Sequence, residues 1–267
     1  MSLKDDLMGI IPDDTMCHLT NHFEVIGDIA ILSLRPELID YQTQIAGAIL
    51  SRKKNIHTVI NKVSKIDGGF RTAQYEFLAG TNTLTCHREY GLTYRLDIGK
   101  VFFNSRLAYE RKRVNNQVQP DEWVFVPFCG IGPYVIPAAA CDAKVVAMDR
   151  NPDACRYLSE NIWLNSVARN VCIIKGSAFD TCLRRFPVFN RAIVPTPYGM
   201  DEVLDGIVPL VKKSGMIHFY TFKTRQQIPM LMIEYKRKGL RVKFFRPCGN
   251  VAPGVHRWVF DLVKTDP

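Results

Sequence analysis

One stretch of the sequence, from Trp123 to Asp149, constrains the fold more than any other. It begins with an apolar run that predicts a buried strand, turns through CGIG at 129–132, and reaches a second apolar run that ends on Asp149. Two glycines let the backbone turn tightly and approach a ligand closely. A strand, a glycine turn, a helix and a second strand closing on an acid form the ribose-binding half of a doubly wound α/β sheet. The stretch therefore predicts a site for a nucleoside-bearing cofactor.

The spacing of the glycines narrows the choice of cofactor. Gly130 and Gly132 are present, but Val135 stands where a dinucleotide-binding fold has its third glycine. This departure favours S-adenosylmethionine, which has no pyrophosphate, over NAD. The alternative is an ordinary strand-to-helix turn, against which Asp149 argues. We expect the cofactor to be bound by Phe128, Gly130, Gly132, Asp149, Arg150 and Pro195.

The charge of the chain points to a polyanionic partner. Lysine and arginine total 35 residues against 26 aspartates and glutamates, a formal net charge of +9. Such an excess favours RNA or DNA as the partner. A basic protein without a nucleic-acid partner is the alternative.

The cysteines and the N-terminus indicate the compartment. The eight cysteines are scattered without a C-x-x-C pair, so they predict buried, reduced thiols rather than a metal or redox site. Charges at Lys4, Asp5 and Asp6 interrupt any leader-like apolar run, and no apolar run is long enough to span a membrane. We expect a cytoplasmic monomer that has neither a membrane anchor nor a metal.

Two domains are expected. Residues 1–100 predict a small α/β domain, with a hairpin at 23–32, a helix at 36–50 and further strands at 56–63, 75–78, 84–87 and 92–103. Residues 101–267 predict an α/β domain built on the glycine turn. After its third strand, at 171–174, this domain is expected to have a strand at 191–194, a helix at 201–211, a strand at 215–222, a helix at 226–237, and a closing pair at 242–245 and 255–263 around a turn-rich segment at 247–254.

A charged segment begins the second domain. If the chain is helical from Ser105, then Arg106, Glu110 and Arg113 lie on one side of the helix at three- and four-residue steps. A carboxylate among arginines is held in a fixed geometry and kept ionised. A solvated, charged helix is the alternative.

A second turn is expected at the edge of the sheet that carries the glycine turn. The strand at 191–194 runs into Pro195-Thr196-Pro197-Tyr198. Ligands of open parallel sheets bind at the carboxyl ends of the strands, so this turn is expected to face the same crevice. A plain proline-rich loop is the alternative.

Several stretches together resemble one family, the archaeal and eukaryotic tRNA guanine-37 N1-methyltransferases and the related aminocarboxypropyl transferases of wybutosine synthesis. The matching pieces run in order from about residue 22 to the end. They are IGDIA at 26–30, GFR at 69–71, LDIGKVFF at 96–103, NSRL at 104–107 with Glu110-Arg111, GIGP at 130–133, Asp149 with Asn151-Pro152, Ile217-His218-Tyr220, and APGV at 252–255.

The resemblance implies a Rossmann-like class I methyltransferase sheet, S-adenosylmethionine as cofactor and the anticodon stem-loop of a tRNA as partner. It implies that Glu110 takes the proton from guanine N1 and that Arg71 donates to O6, where negative charge develops. Arg106 and Arg111 hold the base, a phosphate or Glu110. Pro197 and Tyr198 lie on the substrate side, where Tyr198 can stack on the flipped-out base.

The chain also departs from the family pattern. Val126 and Ala178 stand where the family usually has acids, and Pro195 stands where the methyltransferases have an asparagine. We expect the protein to lack the small extra N-terminal domain of many of these enzymes, as in the aminocarboxypropyl transferases. Arg106-Leu107 and Gly132-Pro133 look more like the methyltransferases, which the pattern favours. Aminocarboxypropyl transfer and a non-catalytic RNA-binding paralogue stay open as alternatives.

Overall fold

A computed structural model describes residues 2–64, 73–180, 186 and 188–265. The chain divides into two compact units, Met1–Ser105 and Arg106–Pro267, five residues beyond the expected boundary after residue 100. Each unit has its own β-structure, with strands β1–β6 in the first and β7–β13 in the second.

The first unit is built on a four-stranded sheet of order β1-β2-β3-β4, beside a two-stranded sheet of β5 and β6. Gly27 and Asp28 form the turn of the expected hairpin, because Ile26 pairs with Ile29. Gly27 has a φ of 58°, a backbone conformation that glycine adopts without strain. The segment between β2 and β3 is a 3₁₀ helix followed by an α-helix rather than one continuous helix. The elements are α1 Leu3–Asp6, α2 Asp13–Met16, β1 Glu24–Ile26, β2 Ile29–Leu32, a 3₁₀ helix Pro36–Tyr41, α3 Gln42–Arg52, β3 Thr58–Lys62, β4 Tyr75–Ala79, β5 Leu84–Glu89 and β6 Leu92–Asp97.

The second unit is built on a seven-stranded sheet of order β12-β13-β11-β10-β7-β8-β9. Strands β9, β8, β7, β10 and β11 run parallel, and β13 pairs antiparallel with both β11 and β12. This confirms the expected α/β sheet and its closing antiparallel pair. The elements are α4 Ala108–Asn115, β7 Trp123–Pro127, α5 Val135–Ala140, β8 Lys144–Asp149, α6 Pro152–Leu164, β9 Val171–Lys175, β10 Phe189–Val194, α7 Val203–Ile207, β11 Val211–Lys223, α8 Ile228–Arg237, β12 Leu240–Ala252 and β13 Val255–Lys264, with 3₁₀ helices at Ser105–Leu107, Ala168–Asn170, Val208–Leu210 and Arg225–Gln227.

The chain order places a ligand site where the sheet reverses direction. The chain moves outward from β7 through β8 to β9 and then returns to β10 on the other side of β7. Ligands of doubly wound sheets bind at this switch point, outside the carboxyl ends of the strands. The glycine turn follows β7, Asp149 ends β8, and the Pro195 turn follows β10.

The two faces of β11 and β13 have different chemistry because side chains alternate along a strand. One face carries apolar residues into the core with α7 and α8, namely Ile217, Phe219, Trp258, Phe260 and Leu262. The opposite face carries His218, Tyr220 and Phe222 of β11 opposite Asp261, Val259 and Arg257 of β13. This polar face belongs to the candidate site.

Three boundaries expected from the sequence are wrong. The helix expected to reach Val211 ends in a 3₁₀ turn, because Pro209 lacks a backbone donor and Val211 pairs with Phe189 in the sheet. The strand expected at 92–103 ends at Asp97. The segment expected to be a loop at 247–254 continues β12 to Ala252. Pro247 is tolerated there because β12 is the edge strand and its pairing is interrupted by register shifts.

Candidate active site

The glycine turn has a backbone that only small residues adopt easily. Gly130 and Gly132 have φ values of 55° and 98°. A Cβ atom on Gly132 would lie 2.5 Å from Cδ1 of Leu158, so both its φ and its packing favour glycine. Phe128 also has a positive φ, of 53°, which is uncommon for an aromatic residue. Such conformations concentrate at ligand sites, which supports the prediction that the glycine turn binds a ligand.

Asp149 anchors this turn to the end of the next strand. Its Oδ2 accepts a hydrogen bond from the Gly130 N–H at 2.8 Å, and its Oδ1 accepts one from the Asn151 N–H at 2.9 Å. The carboxylate is partly exposed, and an ionised carboxylate has about four acceptor positions. Asp149 therefore has both the fixed position and the acceptor capacity that a ribose diol requires.

The Pro195 turn lies at the same edge of the sheet as the glycine turn. Strand β10 pairs with β7, with Ala192 opposite Phe125, so the two strand ends are neighbours. Thr196 is buried and bonds back to the Val194 carbonyl. Pro195 and Pro197 are half-buried. Tyr198 is exposed, and its ring centroid lies 5.4 Å from that of Phe222 on β11.

Glu110 is the centre of a cluster of hydrogen bonds. It lies in the first turn of α4 and is only 2% exposed. Arg113 donates to both carboxylate oxygens, with its Nη2 at 2.8 Å from Oε1 and its Nε at 3.0 Å from Oε2. The Tyr220 hydroxyl donates to Oε1 at 2.9 Å, and Nη2 of Arg246 donates to Oε2 at 2.6 Å. The solvated-helix alternative is therefore wrong for Glu110.

The cluster continues along the polar face of the sheet. Arg113 also donates to both oxygens of Asp261, at 2.6 and 3.0 Å, and His218 Nδ1 lies 2.7 Å from Asp261 Oδ1. Nη1 of Arg191 lies 2.7 Å from His218 Nε2, and Arg191 is itself paired with Glu122. Because arginine only donates, Nε2 of His218 must accept and Nδ1 must carry the proton. His218 is therefore neutral in this network.

The ionisation of the network follows from its contacts. Burial raises the pKa of Glu110, but hydrogen bonds from Arg113, Arg246 and Tyr220 outweigh it and lower the pKa below its ordinary value. Burial raises the pKa of Asp261 as well, and His218 and Arg113 lower it by more. Burial lowers the pKa of His218, and Asp261 offsets this only in part. Both carboxylates are thus charged at neutral pH, as the helix pattern predicted for Glu110.

Two tyrosines connect the glycine turn to Glu110. Tyr134 follows the turn directly and is buried, with its ring centroid 5.7 Å from that of Tyr220. Tyr220 then donates to Glu110. A pair of packed aromatic rings therefore links the glycine turn to the carboxylate of Glu110.

The other residues expected at the site differ in their positions. Arg111 is buried on α4, whereas Arg106 and Arg150 are exposed. Arg71 lies outside the described residues. Val126 is buried in β7 and Ala178 is buried in the core, so neither place where the family usually has an acid offers a polar group.

Sequence reasoning missed most of the partners of Glu110. Arg246, Asp261 and Arg191 were not expected at a site, and His218 and Tyr220 were noticed only as part of a resemblance. A signal was available, because His218 and Tyr220 alternate with apolar residues in β11 and Asp261 interrupts an apolar run in β13. Buried polar residues at a period of two indicate a sheet face that holds a polar site.

The described part of the chain offers neither a membrane-spanning helix nor a cluster of metal-binding side chains. No helix there is long and apolar enough to cross a membrane. No group of three or more metal-binding side chains was found among the same residues.

Comparison with known families decides the classification. The TRM5/TYW2 methyltransferase domain matches residues 85–243, and the TYW2 N-terminal domain matches residues 3–83. The chain belongs to the TRM5/TYW2 family. The match confirms the family resemblance that the sequence motifs indicated. It also agrees with the expected Rossmann-like methyltransferase fold.

Two curated relatives of this TRM5/TYW2 protein have different activities in their names. It is 39% identical over 213 residues to tRNA (guanine(37)-N(1))-methyltransferase Trm5b of Pyrococcus abyssi, a match that covers 79% of this chain and 63% of the relative. It is 30% identical over 277 residues to tRNA(Phe) (4-demethylwyosine(37)-C(7)) aminocarboxypropyltransferase of Pyrococcus horikoshii, covering 97% and 95%. The chain spans 34% to 63% of the length of seven curated methyltransferases that it matches.

Solved structures of both kinds are similar to this chain. The complex of aTrm5 with tRNALeu has a TM-score of 0.88 at 26% identity, covering 98% of this chain and 78% of that one. P. horikoshii TYW2 in complex with MeSAdo has a TM-score of 0.81 at 28% identity, covering 98% and 97%. Similarity of fold therefore does not separate the two activities.

Proposed function

We propose that the protein transfers a methyl group from S-adenosylmethionine to N1 of guanine 37, beside the anticodon of a tRNA. The observation that carries the proposal is Glu110, a buried carboxylate kept ionised by Arg113, Arg246 and Tyr220 beside the glycine turn. The most similar curated relative described above has this activity in its name, and a related structure is a complex with a tRNA.

The residues at the glycine turn fit the cofactor. Asp149 is positioned by two backbone N–H groups and can accept from the ribose hydroxyls, while Gly132 keeps the backbone close to Leu158 and leaves the turn open to the ligand. Phe128 and Pro195 flank this position at the ends of neighbouring strands. A TYW2 relative was solved with MeSAdo, a nucleoside of the same class.

In the proposed mechanism Glu110 accepts the proton of guanine N1. S-adenosylmethionine, when bound at the glycine turn, would supply the methyl group that N1 receives as it gives up its proton. Arg113 and Tyr220 hold the carboxylate so that its geometry does not change as the proton arrives. Arg71 donates to O6 in the mechanism that the family resemblance implies, where it offsets the negative charge that develops on the base.

The remaining parts of the proposal concern partners. We propose that the basic charge of the chain serves binding to the anticodon stem-loop, in which the Met1–Ser105 unit participates. Arg106, Arg111, Pro197 and Tyr198 would contact the target nucleotide, and Arg150 would contact the cofactor. The protein would act in the cytoplasm, as a monomer and without a metal. Light scattering and an assay in the presence of a chelator test the last two statements.

The replacement of Glu110 by Gln tests the mechanism. Gln keeps the size of the side chain but cannot take the proton, so turnover should fall by about 10²- to 10⁴-fold. The affinity for S-adenosylmethionine, measured by calorimetry, should change little. Glu234→Gln on the exposed face of α8 is the matched control and should methylate at the wild-type rate. If Glu110→Gln methylates a guanine-37 transcript as fast as wild type, Glu110 is not the base.

Aminocarboxypropyl transfer is the second candidate. It is favoured by the match to the TYW2 N-terminal domain and by the 95% coverage of the aminocarboxypropyltransferase relative. Both reactions use the same cofactor and differ in the group that leaves it. Mass analysis of the nucleosides of a tRNA product separates them, because the added groups differ in mass. If S-adenosylmethionine does not bind at all, a non-catalytic RNA-binding role replaces both.

A further inference from the structure

Arg257 is a buried arginine for which the described residues supply no anionic partner. It lies near the start of β13 and is 6% exposed. Its guanidinium carbon lies 5.1 Å from the ring centroid of Tyr220 and 5.5 Å from that of Phe222. Its Nε has no hydrogen-bond partner, and no ion pair of Arg257 occurs within the described parts of the chain.

The other arginines of this sheet face differ from Arg257. Arg113 is paired with Glu110 and Asp261, Arg246 with Glu110, and Arg191 with Glu122. Burying a charge without a partner is unfavourable, and stacking on an aromatic ring offsets only part of that cost. Among the described residues, Arg257 is thus the arginine of this face whose charge is left for an anionic ligand to balance.

The position of Arg257 indicates which ligand brings the anion. Arg257 pairs with Phe222 at the ligand edge of the sheet, and Tyr220 beneath it packs on Tyr134, the residue that follows the glycine turn. Burial raises the pKa of Tyr134 to about 12 and the positive charge of Arg257 opposes this rise, which is consistent with their proximity. A guanidinium whose faces contact rings presents its edge, and this edge matches two oxygens of one carboxylate or phosphate.

The depth of Arg257 favours a carboxylate over a phosphate. A phosphate of a tRNA backbone is part of a polymer that remains at the surface, whereas the amino acid portion of a small cofactor can enter a buried space. On the basis of the proposed function, we propose that Arg257 binds the α-carboxylate of the methionine portion of S-adenosylmethionine. Arg257 is then a cofactor-binding residue on β13, in addition to Asp149, the proposed ribose-binding residue at the end of β8.

Two nucleosides that differ in the carboxylate test this assignment. S-adenosylhomocysteine carries the amino acid portion, and 5′-methylthioadenosine does not. Binding of both to wild type and to Arg257→Met is measured by calorimetry. Met keeps an unbranched side chain that can pack on the two rings. The variant should lose about tenfold to a hundredfold in affinity for S-adenosylhomocysteine, the range expected for charge-assisted hydrogen bonds, and stay within about twofold for 5′-methylthioadenosine.

Controls separate this result from a folding defect. Arg169→Met removes an exposed arginine and should change neither affinity. Without ligand, Arg257→Met should melt no lower than wild type, because it removes an unpaired buried charge. Arg257→Lys keeps the charge without the planar edge and should show an intermediate, equally selective loss.

Several outcomes would overturn the assignment. An equal loss of affinity for both nucleosides, or no loss for either, would do so. A loss confined to an anticodon stem-loop RNA would instead assign Arg257 to a phosphate. Failure of the wild-type protein to bind 5′-methylthioadenosine would overturn the proposed cofactor site as well, and this outcome is distinct from the others because it does not depend on Arg257.

Discussion

Asp261 accepts hydrogen bonds from three side chains, so its replacement by Asn tests the buried network directly. Oδ1 accepts from His218 Nδ1 at 2.7 Å and from Arg113 Nη2 at 3.0 Å. Oδ2 accepts from Arg113 Nη1 at 2.6 Å and from Gln117 Nε2 at 3.3 Å. An Asn in either orientation places its NH₂ group against two of these donors. The substitution therefore removes a charge and creates a clash of donors at the same position.

The expected loss of stability is large. Removing one partner of a buried ion pair is unfavourable by about 3–5 kcal/mol, and Arg113 keeps its second partner Glu110, so we expect about 3 kcal/mol. The pKa of Asp261 lies below its ordinary value in the folded state, so its stabilisation is present above the unfolded pKa of about 4. It is lost as the pH falls through the folded pKa. The difference in the free energy of unfolding between variant and wild type should thus be full at neutral pH. It should narrow only below about pH 4.

Urea unfolding followed by tryptophan fluorescence measures this loss. The tryptophans Trp123, Trp163 and Trp258 all lie in the Arg106–Pro267 unit, so the signal reports that unit. Asp142→Asn is the matched control, because Asp142 pairs with Arg169 at the surface. Both side chains are exposed, and Arg169 Nη2 lies 3.6 Å from Asp142 Oδ1. The control should change the free energy of unfolding by no more than about 0.5 kcal/mol. If Asp261→Asn loses no more than Asp142→Asn at neutral pH, the network does not stabilise the fold and the reasoning is refuted.

Two further predictions follow from the site. Gly132→Ala should lower stability by about 1–3 kcal/mol and weaken nucleoside binding, because Gly132 has a φ of 98° and an added Cβ would meet Leu158. Gly206→Ala, in the open part of α7, is the control and should be neutral or stabilising. Equal melting temperatures for the two variants would contradict this prediction. Tyr220→Phe removes one of the hydrogen bonds that lower the pKa of Glu110, so the pKa of Glu110 should rise. The acidic limb of the pH–rate profile should then move to higher pH. If the limb does not move, Glu110 is not the titrating base.

The order of elements in the second unit was predictable because each strand that forms the centre of the sheet is an apolar run bounded by turn residues. Trp123–Pro127 and Lys144–Asp149 have this pattern on either side of the glycine turn. The extent of β12 was not predictable. Its segment from Pro247 onward has the residues of a loop, and it is a strand only because β13 lies beside it and its own outer edge needs no partner. Long-range pairing overrides local preference at such a position.

The site was predictable in part for a similar reason. Glu110 and Arg113 are three residues apart on one helix, and helix geometry alone brings them together. Arg246, Tyr220 and Asp261 reach the same place from three strands, 110 or more residues away in sequence. No local pattern specifies which of many polar residues in distant strands share a face. Only the register of β11, β12 and β13 does so, and it depends on the whole sheet.

The lowered pKa of Glu110 has a consequence for the proposed chemistry. A general base acts best when its pKa is near the working pH, and the arginines around Glu110 move its pKa away from that range. The same positive charges act on a base bound next to them, however, and they favour the anionic form of a purine that has lost its N1 proton. Arg111 is also buried on the helix that carries Glu110. Proton transfer depends on the difference between the pKa of guanine N1 and the pKa of Glu110. A positive field that lowers both pKa values preserves this difference, and it also keeps Glu110 ionised and in place. In the proposed mechanism the arginine cluster would therefore make the substrate a stronger acid, and Glu110 would not need to be a strong base.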